Sequence, residues 1–145
     1  MKAKIGILLF FILTLMTACS TDQNLSVNDS AHIKEEEVVN ALKEKGVELI
    51  KTNSTQNSIF STKLKGVKPG SYTLNEKPFF IYEFKTEEAR EKGIKAFQEK
   101  TATMDLVSSS MFVKRNILIF YVHEQDGNIP FEKEIQEGLD SLIEG

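Results

Sequence analysis

The chain lacks the residues that would support a covalent framework or a nucleic-acid partner. Among its 145 residues there is one cysteine, so neither an internal disulfide nor an all-cysteine metal cluster can form. The 18 basic residues are outnumbered by 21 acidic ones, so the positive excess typical of nucleic-acid-binding proteins is absent. Glycine and proline are scarce, at 8 and 3 residues, which excludes collagen-like and low-complexity chains. What is present, 41% apolar and 27% charged residues, is typical of a globular protein.

The longest apolar run lies at the N-terminus. Lys2 and Lys4 precede an uncharged apolar segment at 5–15, and the small residues Thr17 and Ala18 follow it. A membrane-spanning helix needs roughly 20 apolar residues, so this segment is too short to span a bilayer. A positive start, a short apolar segment and small residues in this order predict a cleaved secretory signal peptide.

The residues around the expected cleavage site, Leu15-Met16-Thr17-Ala18-Cys19, resemble the lipobox of bacterial lipoproteins. The resemblance implies that a diacylglyceryl group is attached to the thiol of Cys19 and that the chain is cut between Ala18 and Cys19. Met16 departs from the usual leucine, but it is also apolar and unbranched at Cβ. The alternative is an ordinary signal peptide that leaves Cys19 as a free thiol. Two acyl chains suffice for stable anchoring, so lipidation would hold the protein at the extracytoplasmic face of the cell membrane.

The wider layout comprises a signal peptide, a lipobox, a short polar segment and a body rich in lysine and glutamate. It resembles the small uncharacterised lipoproteins of Gram-positive, spore-forming bacteria. The stretches FIYEFKTEEAREKGIKAF at 80–97 and NILIFYVHEQD at 116–126 carry this resemblance over the body. The resemblance implies a location and brings no catalytic or binding motif with it.

Removal of residues 1–18 changes the character of the chain. These residues hold two lysines and no acids, so the mature protein has 16 basic and 21 acidic residues and a net charge of −5. Residues 19–32 comprise the lipidated cysteine and a polar segment without aromatic residues, which predicts a flexible tether with a reach of roughly 20 Å. Because an acidic body is mildly repelled by anionic lipid surfaces, the lipid is expected to hold the single domain at 33–145 to the membrane.

Hydrophobic spacing in the body predicts three helices and two hairpins. The helices are expected at 33–45, ended by Gly46, at 87–99, capped by Thr86, and at 130–143, opened by Pro130. The hairpins are expected to pair 71–74 with 78–84 and 106–113 with 117–122. Further strands are expected at 47–50 and from residue 59 onward.

Because hairpins dominate, the predicted class is α+β, a two-layer sandwich with a mainly antiparallel sheet and the helices on one face. The apolar runs at 78–84 and 117–122 are expected to form central strands. The segments 71–99 and 106–143 share a hairpin-then-helix order, which leaves open a duplicated unit, although their loops and residue patterns differ.

The two histidines do not form a metal motif. His32 and His123 each lack a second histidine three or four residues away, so the zinc-protease helix pattern is absent. His123 and Glu124 are adjacent at a strand end, where neighbouring side chains point to opposite faces. A histidine at a strand terminus is therefore favoured over an acid/base pair.

Three residues after the last expected strand have the spacing of calcium ligands: Glu124, Asp126 and Asn128. Alignment with an EF-hand loop places Val122 at the first ligand position and Lys133 at the twelfth, and neither supplies a carboxylate. A polar segment that follows the hairpin is favoured, and an exposed cation site without a known motif is the open alternative.

Other patterns also favour structural roles. The serines at 108–110 lie in no nucleophile-elbow or S-x-x-K motif. Gly66 and Gly70 lack the Lys-Ser/Thr end of a phosphate-binding loop. Four aromatic residues in one expected strand could line a groove, but their positions favour the core: Phe79, Phe80, Tyr82 and Phe84.

The expected function is that of a membrane-anchored, non-enzymatic extracytoplasmic lipoprotein that binds a protein or another envelope component. The alternative is a lipoprotein that binds a small ligand or a metal in one shallow pocket, and an envelope hydrolase is a third class. Cys19 is the expected lipid attachment site, and no catalytic residue, cofactor, metal ligand or nucleic-acid partner is predicted. An exposed apolar patch on the sheet would favour a protein partner. An apolar pocket with a few polar groups would favour a small ligand. A buried, hydrogen-bonded set of Glu, Asp and His side chains would favour an enzyme.

Overall fold

The computed structural model describes residues 32–53, 58–123 and 129–142 of the chain. Its helices are α1 (Glu35–Glu44), α2 (Glu87–Thr101) and α3 (Glu132–Ser141), with a short 3-10 helix at Ile59–Ser61. Its strands are β1 (Ile50–Lys51), β2 (Gly70–Leu74), β3 (Lys77–Glu83), β4 (Ser109–Lys114) and β5 (Ile117–Val122). The expected signal peptide, the lipobox with Ala18 and Cys19, and the tether up to residue 31 lie outside the described residues.

The five strands form one antiparallel sheet in the order β1-β2-β3-β5-β4. As the sequence predicts, β2 pairs with β3 and β4 with β5 as hairpins, and the pairing of β3 with β5 places Phe80 opposite Phe120. Asn75 and Glu76 have φ values of 47° and 63°, which suit the two-residue turn between β2 and β3. The α+β class with an antiparallel sheet is confirmed, and β3 and β5 are interior strands.

One face of the sheet is covered by α1 and α3. Val38 and Leu42 of α1 and Ile135 and Leu139 of α3 are fully buried. They pack in one cluster with alternate residues of the interior strands, among them Ile81. The helical spacing that predicts these two helices therefore also identifies the sides that they bury.

The other face of the sheet is covered by α2. Phe97 of α2 packs with Phe80, Tyr82 and Phe120 of the sheet, and Phe60 of the 3-10 helix joins them. The expectation of helices on one face only is therefore wrong for α2, and the fold has three layers instead of two. The physical reason is that β3 and β5 are apolar at successive positions, so both of their faces must be covered.

The two hairpin-then-helix segments are not related by symmetry. The interior strands β3 and β5 are antiparallel, and the two-fold axis that relates antiparallel neighbours is perpendicular to the sheet. Such an axis would keep both following helices on one face, whereas α2 and α3 pack on opposite faces. The arrangement therefore argues against a duplicated unit.

Gly46 ends α1, as the sequence predicts. It has a φ of 80°, and its N–H donates to the carbonyl of Lys43 at 3.0 Å, while the N–H of Val47 donates to the carbonyl of Leu42 at 3.0 Å. This is the Schellman arrangement. It directs Val47 into the core, so the strand expected to begin there begins only at Ile50.

Three other boundaries differ from expectation. The strand expected from residue 59 is a 3-10 helix, whose first turn is capped by the side chain of Ser58. The last helix begins at Glu132, two residues after Pro130, because Phe131 has a left-handed φ of 62°. Strand β4 begins at Ser109, three residues later than expected.

Candidate interaction surface

Strand β4 forms an open edge of the sheet. The turn at its end pairs Lys114 with Ile117, and at the other end the N–H of His123 donates to the carbonyl of Ser108 at 3.1 Å. Hydrogen-bonding residues alternate along an antiparallel strand, so the even-numbered residues of β4 bond to β5. The odd-numbered residues direct their N–H and C=O groups away from the sheet: Ser109, Met111 and Val113.

The apolar side chains on this edge are exposed. Met111 is 48% exposed and Val113 37%, and Val107, just before the strand, is 64% exposed. The surrounding sequence LVSSSMFV at 106–113 contains no charge, no proline and no glycine. We call Val107, Ser109, Met111 and Val113 the β4 strip. No strand among the described residues pairs with these outward backbone groups, and exposed apolar side chains lie along the same strip.

The two edges of the sheet are protected differently. Proteins protect edge strands by keeping them short, or with charged residues or proline. β1 is two residues long and carries Lys51 beside the exposed Ile50. β4 is six residues long, and its one charged residue, Lys114, is held by Asp140 of α3 with 2.8 Å between Nζ and Oδ1. β4 therefore lacks the protection that β1 has.

A groove of about 440 Å³ lies beside β4 on the face that carries α3. Within its wall, Lys133 pairs with Glu137 of the same helix at 3.6 Å. Six residues line the groove: Met111, Phe112, Glu132, Lys133, Gln136 and Glu137. Because Met111 and Phe112 belong to β4, the groove and the β4 strip border the same edge of the sheet.

A group of polar residues ties the start of the described chain to the sheet. His32 Nε2 lies 2.9 Å from Glu83 Oε1, and the other oxygen of Glu83 accepts from the N–H of Glu35 at 2.8 Å. Tyr72 donates to the Glu35 carboxylate at 2.5 Å, and burial, together with this carboxylate, raises the pKa of Tyr72. A Cβ at Gly70 would collide with the same carboxylate. These half-buried groups hold the first turn of α1 against β2 and β3.

Asn116 completes this attachment from inside the protein. It is 2% exposed, and its Oδ1 accepts from the N–H of Ile33 at 2.8 Å. Its Nδ2 donates to the carbonyls of Ile33 at 2.8 Å and of Phe84 at 3.0 Å. One buried side chain thus joins the segment before α1, the end of β3 and the turn between β4 and β5.

Ser110 and His123 meet across the β4–β5 hairpin, with 2.9 Å between Oγ and Nε2. Sequence reasoning missed this contact because it depends on strand register, which no short motif encodes. Glu124, the neighbour considered from the sequence, lies outside the described residues. A serine–histidine contact alone defines no reaction, because nucleophilic catalysis also needs an orienting group and oxyanion donors.

The other residues considered from the sequence have structural positions where they are described. Gly66 lies in a turn with a φ of 89°. The four aromatic residues of β3 and its end are confirmed as core, with Phe79 on the α1/α3 side and the rest on the α2 side. The residues with calcium-like spacing lie outside the described ranges: Glu124, Asp126 and Asn128.

Within 32–53, 58–123 and 129–142, no group of three His, Cys, Asp or Glu side chains is arranged to hold a metal ion. None of the helices in these ranges is long and apolar enough to cross a bilayer. No protein-family model, curated protein or solved structure matches the chain.

Proposed function

We propose that the chain is a membrane-anchored extracytoplasmic lipoprotein without enzymatic activity, which binds a protein or another envelope component along the β4 edge. The observation that carries this proposal lies along the β4 strip, where backbone groups that pair with no described strand coincide with exposed apolar side chains. Strand addition at such an edge draws affinity from backbone hydrogen bonds and specificity from alternate side chains. An extended segment of a partner protein supplies both.

The anchor is supported by the position of the only cysteine, within the sequence LMTAC at 15–19. It is also supported by the point at which the tether would join the body. Ile33 is held by the buried Asn116, and His32 contacts Glu83, so a tether ending at residue 32 would meet a fixed attachment point.

Metabolic labelling with a fatty-acid analogue tests the anchor. We expect the full chain to incorporate the label, the Cys19→Ala variant to lose it, and the adjacent Ser20→Ala variant to keep it, because only the Cys19 thiol can form the thioether. An unlabelled wild-type protein, or equal labelling of the Cys19→Ala variant, would contradict the lipoprotein proposal.

Site-specific photocrosslinking in intact cells tests the binding surface. A photoreactive residue replaces Val113 on the β4 strip or, as the matched control, Ile50 on the opposite edge, which is also exposed and apolar. We expect discrete crosslinked products from position 113 and none in common with position 50. Equal products from both positions, or none from position 113, would remove the β4 edge from the proposal.

The alternative of a small-ligand lipoprotein is less well supported. The groove beside β4 is lined by Met111 and Phe112, but its other four lining residues are charged or amide side chains of α3. Sites for small ligands are predominantly apolar, with a few polar groups directed inward. The groove therefore resembles the flank of a docking edge more than an enclosed ligand site.

A further inference from the structure

We infer that the partner at this edge is a second copy of the chain, joined through an antiparallel β4–β4 pairing centred on Met111. The inference rests on the proposed function, since it uses the same edge, and it names the occupant. The paired sheets would continue into one another across a two-fold axis perpendicular to the sheet.

The backbone of β4 is complementary to itself in this register. The outward-directed residues Ser109, Met111 and Val113 are placed symmetrically about Met111. A 180° rotation about an axis through Met111 places Ser109 of one copy opposite Val113 of the other. The same rotation places Met111 opposite Met111. Each such pair exchanges two hydrogen bonds. Every outward N–H and C=O group of β4 between 109 and 113 is then satisfied without any other chain.

The side chains are compatible with the same register. The side chains of the β4 strip lie on the face opposite to α3. On that face, the half-exposed Met111 side chains of the two copies meet, and each Val113 lies beside Ser109 of the other copy. On the other face, Ser110 of one copy lies opposite Phe112 of the other, and Lys114 falls opposite Ser108. Like charges directly opposite one another destabilise strand pairs, and no such pair arises in this register. The pairing removes part of the exposed apolar surface of Met111 and Val113 from water.

The charges on α3 also favour a second copy. The axis keeps both α3 helices on one face of the joined sheet and makes them antiparallel across the junction. The groove residues of α3 beside Met111 are Glu132 and Lys133 in its first turn and Gln136 and Glu137 one turn later. Reversal of one helix therefore brings Lys133 of one copy towards Glu137 of the other, twice across the axis. This is an isologous interface with opposite charges at its rim.

Light scattering on the full chain in mild detergent measures the association, with circular dichroism to verify folding. We expect the wild type to be a dimer and the Met111→Lys variant to be a folded monomer, because two ammonium groups would face each other on the axis. The Ile50→Lys variant, which adds the same charge at the other edge, is expected to remain dimeric.

Charge reversal on α3 tests the register. Lys133→Glu and Glu137→Lys each place like charges across the junction and are expected to raise the dimer dissociation constant roughly three- to tenfold. An equimolar mixture of the two variants restores both opposite-charge contacts, so it is expected to recover dimers of mixed composition. Each variant also loses the Lys133–Glu137 pair within its own α3. This loss is the same whether a variant is alone or in the mixture, so it cannot explain the recovery of dimers in the mixture.

The outcomes separate this inference from the proposed function. A wild type that stays monomeric at the highest soluble concentration, or charge variants that behave alike alone and mixed, would overturn the β4–β4 pairing. Crosslinks from position 113 to a different protein, with no self-crosslink, would also overturn it while leaving the β4 edge as the binding surface. The absence of any crosslink from position 113 would overturn both.

Discussion

At the scale of single residues, Asn116 connects distant parts of the described chain. Its amide makes three hydrogen bonds to backbone groups of Ile33 and Phe84 while almost completely buried. From the sequence it is only a turn residue between two strands. Its partners lie up to 83 residues away, and local patterns do not report contacts at that distance. Sequence reasoning therefore places Asn116 correctly in a turn and misses what it holds.

Asn116→Ala is expected to lower the free energy of unfolding by about 2–4 kcal/mol, because it leaves an N–H and two carbonyl groups buried without their partner. Urea denaturation measures the change. The matched control is Asn40→Ala on the exposed side of α1, which is expected to remain within about 0.5 kcal/mol of the wild type. Equal stabilities of the two variants would show that Asn116 does not hold the attachment.

At the scale of elements, the local rules predict most of the structure. Thr86 caps α2 by accepting from the N–H of Ala89 at 3.1 Å, as its residue type and position predict, and both hairpins form where expected. The sequence predicts α2 at 87–99, and within this helix Gly93 packs closely against the ring of Phe84. What it misses is the side of the sheet on which α2 lies. Helical spacing marks the buried side of a helix, not the sheet face that receives it.

Gly93→Ala is expected to destabilise the protein by about 1–3 kcal/mol, even though alanine is the better helix former. The added Cβ would lie 2.5 Å from Cζ of the Phe84 ring, and because that ring is buried, it would have to shift within the core. Thermal unfolding measures the effect, with Lys95→Ala at an exposed position of α2 as the control. A Gly93→Ala variant more stable than the wild type would contradict the close packing of α2 on β3.

At the scale of the whole molecule, helices cover both faces of the sheet, and the strand order leaves β4 at one edge. The continuous apolar runs of β3 and β5 contain the signal for two covered faces, and the expectation of a two-layer sandwich overlooked it. The order of strands is not encoded in any local pattern, because it follows from the pairing of the two hairpins. The exposure of the β4 strip therefore becomes visible only in the assembled sheet, although its uncharged sequence is plain from the start.

Burial of all tyrosines predicts the response of the whole molecule to high pH. The chain has three tyrosines, and burial raises the pKa of each of them: Tyr72, Tyr82 and Tyr121. In the unfolded chain they ionise near the ordinary value of 10.0, so above that pH the unfolded state binds fewer protons than the folded state. The stability that these groups contribute is present below about pH 10 and is lost as the pH rises through their folded pKa values.

Urea denaturation in a pH series measures this loss, and ultraviolet absorbance of tyrosinate reports ionisation. We expect the folded protein to show no tyrosine ionising at its ordinary pKa, and its free energy of unfolding to fall as the pH rises above 10. Tyr82→Phe, which removes the hydroxyl that donates to the carbonyls of Phe60 and Thr62, is expected to reduce that fall. Ionisation of any tyrosine near pH 10 in the folded protein would show that it is not buried as described.

The β4 edge is tested most directly by residue-resolved amide hydrogen exchange along β4, in the full chain kept in its own membrane. In the Met111→Lys variant, we expect the outward amides of Ser109 and Val113 to exchange quickly and those of Ser110 and Phe112 slowly, because only the latter two bond to β5. In the wild type, we expect all four to exchange slowly, since the open edge is occupied. Outward amides that exchange as fast in the wild type as in the variant would contradict the assignment of this edge as the binding surface.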